Sequence, residues 1–206
     1  TTSTLQQEAS RKLGFSVTKT MLVAQKLYEA GKISYMRTDS VNLSDSAINN
    51  AKKEISEQFG EKYSNPKKYQ TKSDSAQEAH EAIRPSYFNE HTVEGDGDEE
   101  RLYELIWKRA ISSQMSSAEL EKTTMEISIS NDNHLFKATG EVLKFDGFLK
   151  VYIESTDEDE DKDESGLLPP LKVGQALDLK EAESQEKFTR ASARFNEASL
   201  VKKMEE

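Results

Sequence analysis

The sequence predicts an α+β chain, with a mainly helical part over residues 1–119 and an antiparallel β part following it. Three observations carry that prediction. Up to about residue 119, apolar residues recur at three- and four-residue spacing, and the runs end in capping residues. Near Ala118 the texture changes, and Thr123 to Ser130 alternates apolar and polar residues with a period of two. Between the periodic runs lie polar stretches broken by proline, glycine and asparagine.

Taken in order, Thr18 to Ala30 reads as a helix. Met21, Leu22, Ala24, Leu27 and Tyr28 form its apolar stripe, and Gly31 stands where a C-terminal cap belongs. Ile33 to Arg37 then reads as a short strand or extended turn. Ser44 is a good N-cap for a second helix striped by Ala47, Ile48, Ala51, Ile55 and Phe59 and ended by Gly60. Glu61 to Ser75 is a lysine-rich loop broken by Asn65-Pro66. Ala76 to Ala82 reads as a helical turn or short helix, stopped before Pro85. After a loop over Asn89 to Asp98, Glu99 to Met115 is a strong helix, with Leu102, Leu105, Ile106, Ala110, Ile111 and Met115 facing one way and Trp107 near the stripe.

In the β part, Asn131-Asp-Asn is a turn candidate between Thr123–Ser130 and a return strand over His134 to Glu141, with Phe148 to Ile153 following. Leu177 to Glu181 offers one more strand, and Asn196 to Glu206 is amphipathic and helical. The domains expected are 1–119 (helical), 120–187 (β) and 188–206 (the start of a further helical domain). Both ends look cut, as in a piece of a longer protein.

Composition narrows the classes. Apolar residues make up 34% and charged residues 32% of the 206. The mean hydropathy is −0.79, and no run of about 18 apolar residues suggests a membrane span. The absence of cysteine excludes disulfides and thiolate-bound metal. The net charge of −10 argues against nucleic acid at first sight. Residues 154–164, however, carry eight acids and one lysine, a net of −7, so the rest of the chain carries −3. Residues 1–90 hold 13 Lys/Arg against 11 Asp/Glu, a slightly basic balance. Local patches matter to nucleic-acid binding as well as total charge. The dense acidic run resembles a metal site but reads better as a solvated loop. His91 and His134 have no partner pattern and read as structural or surface residues.

The stretch that carries chemistry is Gly31 to Ser40, Gly-Lys-Ile-Ser-Tyr-Met-Arg-Thr-Asp-Ser. It places Tyr35 two residues before Arg37. A phenol has an ordinary pKa of about 10, so its attack on phosphorus needs the proton removed or the anion stabilised. An arginine beside it does part of this and grips phosphate through its planar fork. The bland alternative is a half-buried tyrosine beside a surface arginine, which such a pair is more often when it stands alone.

It does not stand alone. Ser-Tyr-Met-Arg-Thr-Asp-Ser at 34–40 closely resembles the active-site signature of bacterial type IA DNA topoisomerases. Leu5-Gln-Gln-Glu-Ala with Leu13-Gly-Phe precedes it. Gln77-Glu-Ala-His-Glu-Ala-Ile-Arg-Pro-Ser at 77–86 is similar to the second signature, and Arg194-Phe with Glu197-Ala-Ser-Leu-Val follows in the same order. The resemblance covers essentially the whole chain. Many relatives carry prolines where this chain has Ala191-Ser192, which bears on the stiffness of that connection.

That resemblance implies Tyr35 as the nucleophile that cleaves single-stranded DNA, joined to the 5′ phosphate, with Arg37 catalytic beside it. It implies DNA contacts from Arg37, Thr38, Asp39, His80 and Arg84. Arg84 would share a helical face with His80 if the helix persists, and Asp39 could orient Arg37. Also implied is a parent that relaxes negatively supercoiled DNA without ATP, is monomeric and works in the bacterial cytoplasm on the nucleoid. The tyrosine domain would hold a winged-helix-like unit, and residues 120–187 would be one arm of a toroid's β arch. Mg²⁺ would belong to a domain outside this chain, leaving no metal site here and no relaxation by this piece alone. The rival reading is a non-catalytic winged-helix DNA-binding module, which the helix-turn-strand over 18–37 also fits.

Overall fold

The computed structural model describes residues 1–69, 80–130, 133–153, 171–184, 186, 188–189 and 194–205. The element order is α1 (Thr2–Leu13), α2 (Val17–Glu29), α3 (Asp45–Gln58), α4 (Gly97–Ser113), β1 (Glu119–Ser128), β2 (Leu135–Phe145) and α5 (Glu197–Glu205). Two 3₁₀ turns, Glu61–Tyr63 and Gly147–Lys150, stand before α4 and after β2. Helices with a two-stranded antiparallel sheet make the α+β class plain.

Each helix starts on a side chain that satisfies free backbone N–H groups. Thr1 accepts from the Thr4 amide at 3.2 Å, Ser16 from Lys19 at 3.1 Å and Ser44 from Ala47 at 3.3 Å. Helix α4 opens on a capping box. Asp96 accepts from the Glu99 amide at 2.9 Å, and the Glu99 carboxylate accepts from the Asp96 amide at 3.2 Å. The cap lies inside the acidic stretch read as loop, so α4 begins two residues before the position expected from periodicity.

Helix α1 is the element the periodicity does not show. Its buried residues are Leu5, Gln7, Glu8 and Ala9. Half of that face is polar, so the apolar signal is faint. In α2 the stripe is shifted from the expected one. Thr20, Val23, Ala24 and Leu27 are buried, whereas Leu22 and Tyr28 are exposed. Helix α3 buries Ala47, Ile48, Ala51 and Ile55 as expected. Helix α4 is the central member, burying Leu102, Tyr103, Leu105, Ile106, Trp107, Ala110 and Ile111.

The chain divides into two compact units, each taken here by itself. Unit 1 holds residues 1–119 together with 145–153 and 195–205. The division falls at 119/120 as expected, but residues 145–153 return to unit 1, and the later boundary lies before Phe195 rather than at 187/188. The reason is packing. Tyr63 donates to Asp146 at 2.8 Å and its ring meets Phe145 at 4.9 Å. The buried Tyr152 donates to the equally buried Glu8. Phe148 N–H reaches Ser116 O at 2.9 Å. The α5 residue Glu197 accepts from Val17 N–H at 3.0 Å. Gly147 permits the return into this unit: its φ is 48°, and a Cβ there would lie 2.5 Å from Ser116 O. Residues 148–153 accordingly form a 3₁₀ turn and loop rather than a strand.

Unit 2 contains the β1–β2 ribbon and the described residues of 171–194. Along the two strands Gly140 is the buried position. Lys122 pairs with Glu141 at 3.3 Å, and Lys144 with Glu121 at 2.5 Å, across the ribbon. The strand expected over 177–181 is not formed, and Leu177 and Leu179 are exposed. Without a neighbouring strand the backbone groups of that segment have no ladder to join. The acidic run 154–164, most of the expected short helix 76–82, and Ala191-Ser192 lie outside the described residues.

Candidate active site

The turn after α2 sets the site. Gly31, at φ 69°, lets the chain reverse: its N–H reaches Tyr28 O at 2.8 Å and that of Lys32 reaches Leu27 O at 2.8 Å. From Tyr35 to Ser40 exposure alternates. Met36, Thr38 and Ser40 are buried while Tyr35, Arg37 and Asp39 are exposed to solvent.

Two other segments hold this strip. On one side Thr2 of α1 stitches its inner edge. The Thr2 hydroxyl donates to Met36 O at 2.9 Å and accepts from Thr38 N–H at 2.9 Å, and the Thr2 N–H reaches Thr38 O at 2.8 Å. On the other side lies the second signature segment, antiparallel, with an isolated bridge between Ile33 and Pro85. Ser34 N–H donates to Arg84 O at 2.9 Å and Ser86 N–H to Lys32 O at 2.8 Å. These bonds use the carbonyl before Pro85 and the amide after it, so the missing proline N–H costs no ladder bond. Ser34 locks the pair further: its hydroxyl donates to Ala82 O and accepts from Arg84 N–H, both at 2.9 Å.

Residues 80–86 are therefore extended where a helical turn was expected up to Ala82. His80 remains exposed, its ring 6.4 Å from that of Tyr35 in an edge-on contact. Arg84 does not share a helical face with it. The Arg84 guanidinium donates to Glu81 at 2.6 and 3.2 Å and to Pro85 O at 3.0 Å. In this structure it braces the loop. Burial alone would raise the Glu81 carboxyl, but hydrogen bonds from Ser44 and Arg84 outweigh it and hold it below its ordinary value.

Thr38 lies on the inner side of the strip. It is 6% exposed, and its hydroxyl accepts from Ser40 N–H at 3.1 Å, so it anchors the strip from within. Arg37 and Asp39 carry no ion pair with each other or with any group among the described residues. The phenol of Tyr35, 44% exposed, likewise has no hydrogen-bond partner there. His91 is structural, 2.7 Å from the buried Glu54 with its ring tilted on Trp107. Among the described residues no group of three or more His, Asp or Glu side chains is placed to hold a metal ion.

Ser34, Thr2 and Glu81 are the residues that sequence reasoning missed. Ser34 lay inside the quoted motif without a role. Glu81 had a local signal, three residues before an arginine. For Thr2 the partners lie 34 and 36 positions away, beyond any local pattern.

The site is thus a helical scaffold that leaves a tyrosine and an arginine, two residues apart, open to solvent, with a histidine ring edge-on to the tyrosine. The comparisons with known proteins name the family. A family model described as DNA topoisomerase matches residues 1–206, and the chain belongs to that family. It is 49% identical over its whole length to DNA topoisomerase 1 of Zymomonas mobilis, of which it spans 17%. It is 47% identical to that of Rickettsia typhi, spanning 28% of it. The structure of full-length topoisomerase I from Thermotoga maritima superposes with a TM-score of 0.76 at 37% identity, over 99% of this chain and 34% of that one. The chain thus spans under a third of the curated relatives quoted.

Proposed function

We propose that this segment carries the nucleophile of a type IA DNA topoisomerase, and that the nucleophile is Tyr35. The observation that supports it is the strip of exposed Tyr35 and Arg37, held from both sides inside a chain of this family. In the cleavage step the Tyr35 oxygen bonds to a backbone phosphorus of single-stranded DNA and gives up its proton. The bond from phosphorus to the 3′ oxygen breaks, and that oxygen leaves with the electron pair and takes up a proton. The products are a 5′-phosphotyrosine and a 3′ hydroxyl. Reversal reseals the strand after passage of the other, with no ATP, because the phosphotyrosine keeps the energy of the ester.

In this reading Arg37 holds the phosphate and offsets its developing charge. Asp39, likewise exposed, orients it. His80 donates to the phosphate or the phenol. The roles left to Thr38 and Arg84 are to hold the strip and the His80 loop. The α2 turn and strip serve as a winged-helix-like unit, and the ribbon as one arm of an arch. Mg²⁺, where the parent uses it, is bound outside this segment. The parent acts as a monomer on negatively supercoiled DNA in the nucleoid. No helix among the described residues is long and apolar enough to cross a membrane.

The test uses the full-length parent and a 3′-labelled single-stranded oligonucleotide, denatured after incubation. Wild type is expected to retain label covalently and Tyr35→Phe to retain none. An adduct in Tyr35→Phe overturns the assignment. No adduct in wild type favours the non-catalytic DNA-binding module.

A further inference from the structure

The backbone on either side of Tyr35 is fixed, at Ser34 by the 82–86 segment and at Met36 by Thr2. The side chain itself is not held by any hydrogen bond among the described residues. Its direction depends on ring contacts, and there are two. One is His80. The other is Tyr28, whose ring centroid lies 5.3 Å from that of Tyr35 at 68°.

Tyr28 belongs to neither signature. Its place is set by the end of α2, where its carbonyl accepts from Gly31 N–H in the turn that launches the strip. Its neighbour Leu27 is buried in the core, but Tyr28 is 42% exposed and outside the core cluster. Such a ring adds little to core packing. It does pack edge-on against Tyr35 from the end of α2, beside the His80 contact.

We propose that Tyr28 is a positioning residue for the nucleophile, its ring setting the direction in which the Tyr35 phenol points. Edge-on packing suits this task because the opposed quadrupoles favour that geometry. It restricts the torsions of Tyr35 without occupying the oxygen, which stays open to an approaching phosphorus. A hydrogen bond to that oxygen would hold the ring at the cost of nucleophilicity. The inference rests on Tyr35 being the nucleophile, and a poorly aimed nucleophile loses rate rather than affinity.

The experiment measures single-turnover adduct formation and oligonucleotide affinity in the full-length parent carrying Tyr28→Leu, Tyr28→Ala or Tyr28→Phe, with Tyr35→Phe as control. Tyr28→Leu and Tyr28→Ala are expected to slow adduct formation about tenfold, with melting temperature and affinity near wild type. Tyr28→Phe is expected to restore most of the rate, because it keeps the ring. Wild-type rates in both truncations overturn the proposal. So does an equal loss in Tyr28→Phe, which would assign the effect to the hydroxyl, or a loss of affinity that accounts for the loss of rate. Adduct in Tyr35→Phe would instead overturn the nucleophile assignment on which it rests.

Discussion

The two units place their apolar residues in opposite ways. In unit 1, α4 buries seven apolar side chains and packs against α1, α2 and the 3₁₀ turn Gly147–Lys150. In unit 2, Leu120, Leu135, Phe136, Val142 and Leu143 stand exposed on a ribbon whose buried residue is a glycine. A two-stranded ribbon with no packed face is marginal by itself. The contrast teaches where precision is needed. Tyr35, the proposed nucleophile, sits on the close-packed frame and not on the ribbon.

Truncating the core should break the comparison hardest. Leu102→Ala empties a site with 0% exposure and is expected to cost about 2–5 kcal/mol, read from urea unfolding followed by far-UV circular dichroism. A cost under about 0.5 kcal/mol would show that unit 1 is no better packed than the ribbon.

A smaller effect comes from pH. Burial first, and the nearby Glu90 second, push the Tyr103 phenol up to about 12. The folded state therefore favours the neutral phenol more than the unfolded chain does. That stability is fully present below the ordinary value of 10.0 and is lost as pH rises towards about 12. Tyr103→Phe should flatten this alkaline limb while costing about 1 kcal/mol for the bond to Glu90 O at 2.6 Å. An unchanged alkaline limb in Tyr103→Phe would refute the assignment.

The smallest effect is expected on the ribbon. Leu143→Ala removes a side chain that is 50% exposed and should shift stability by no more than about 0.5 kcal/mol. A shift above about 2 kcal/mol would mean that this face is covered in the purified protein.

What the sequence reveals follows the same division. Helices α2, α3 and α4 are legible because their stripes and caps are local. Tyr35 and Arg37 are legible as a pair, and the period-two alternation through Met36, Thr38 and Ser40 leaves them exposed. The bonding of Thr38 and Arg84 is not legible: the backbone of Thr38 bonds to the distant Thr2, and the Arg84 guanidinium to Glu81. Tyr28 looked like core because it fits a helical spacing, and only the turn at Gly31 swings it beside Tyr35. The missed pattern in each case is an encounter between segments far apart in the chain, except for Arg84 and Glu81, where a presumed helix hid a local pair.

The Ser34 clasp has one further consequence. Its two ends, Ser34 and Ala82, are 48 positions apart, so everything between them is a closed loop of chain whose ends are already joined. The entropy of closing such a loop grows only with the logarithm of its length, about 0.6 kcal/mol for each doubling. Residues added after Gly60, at the exposed end of α3, would therefore lengthen the loop without separating Tyr35 from His80. An epitope inserted at that point offers a handle that leaves the two signatures in register.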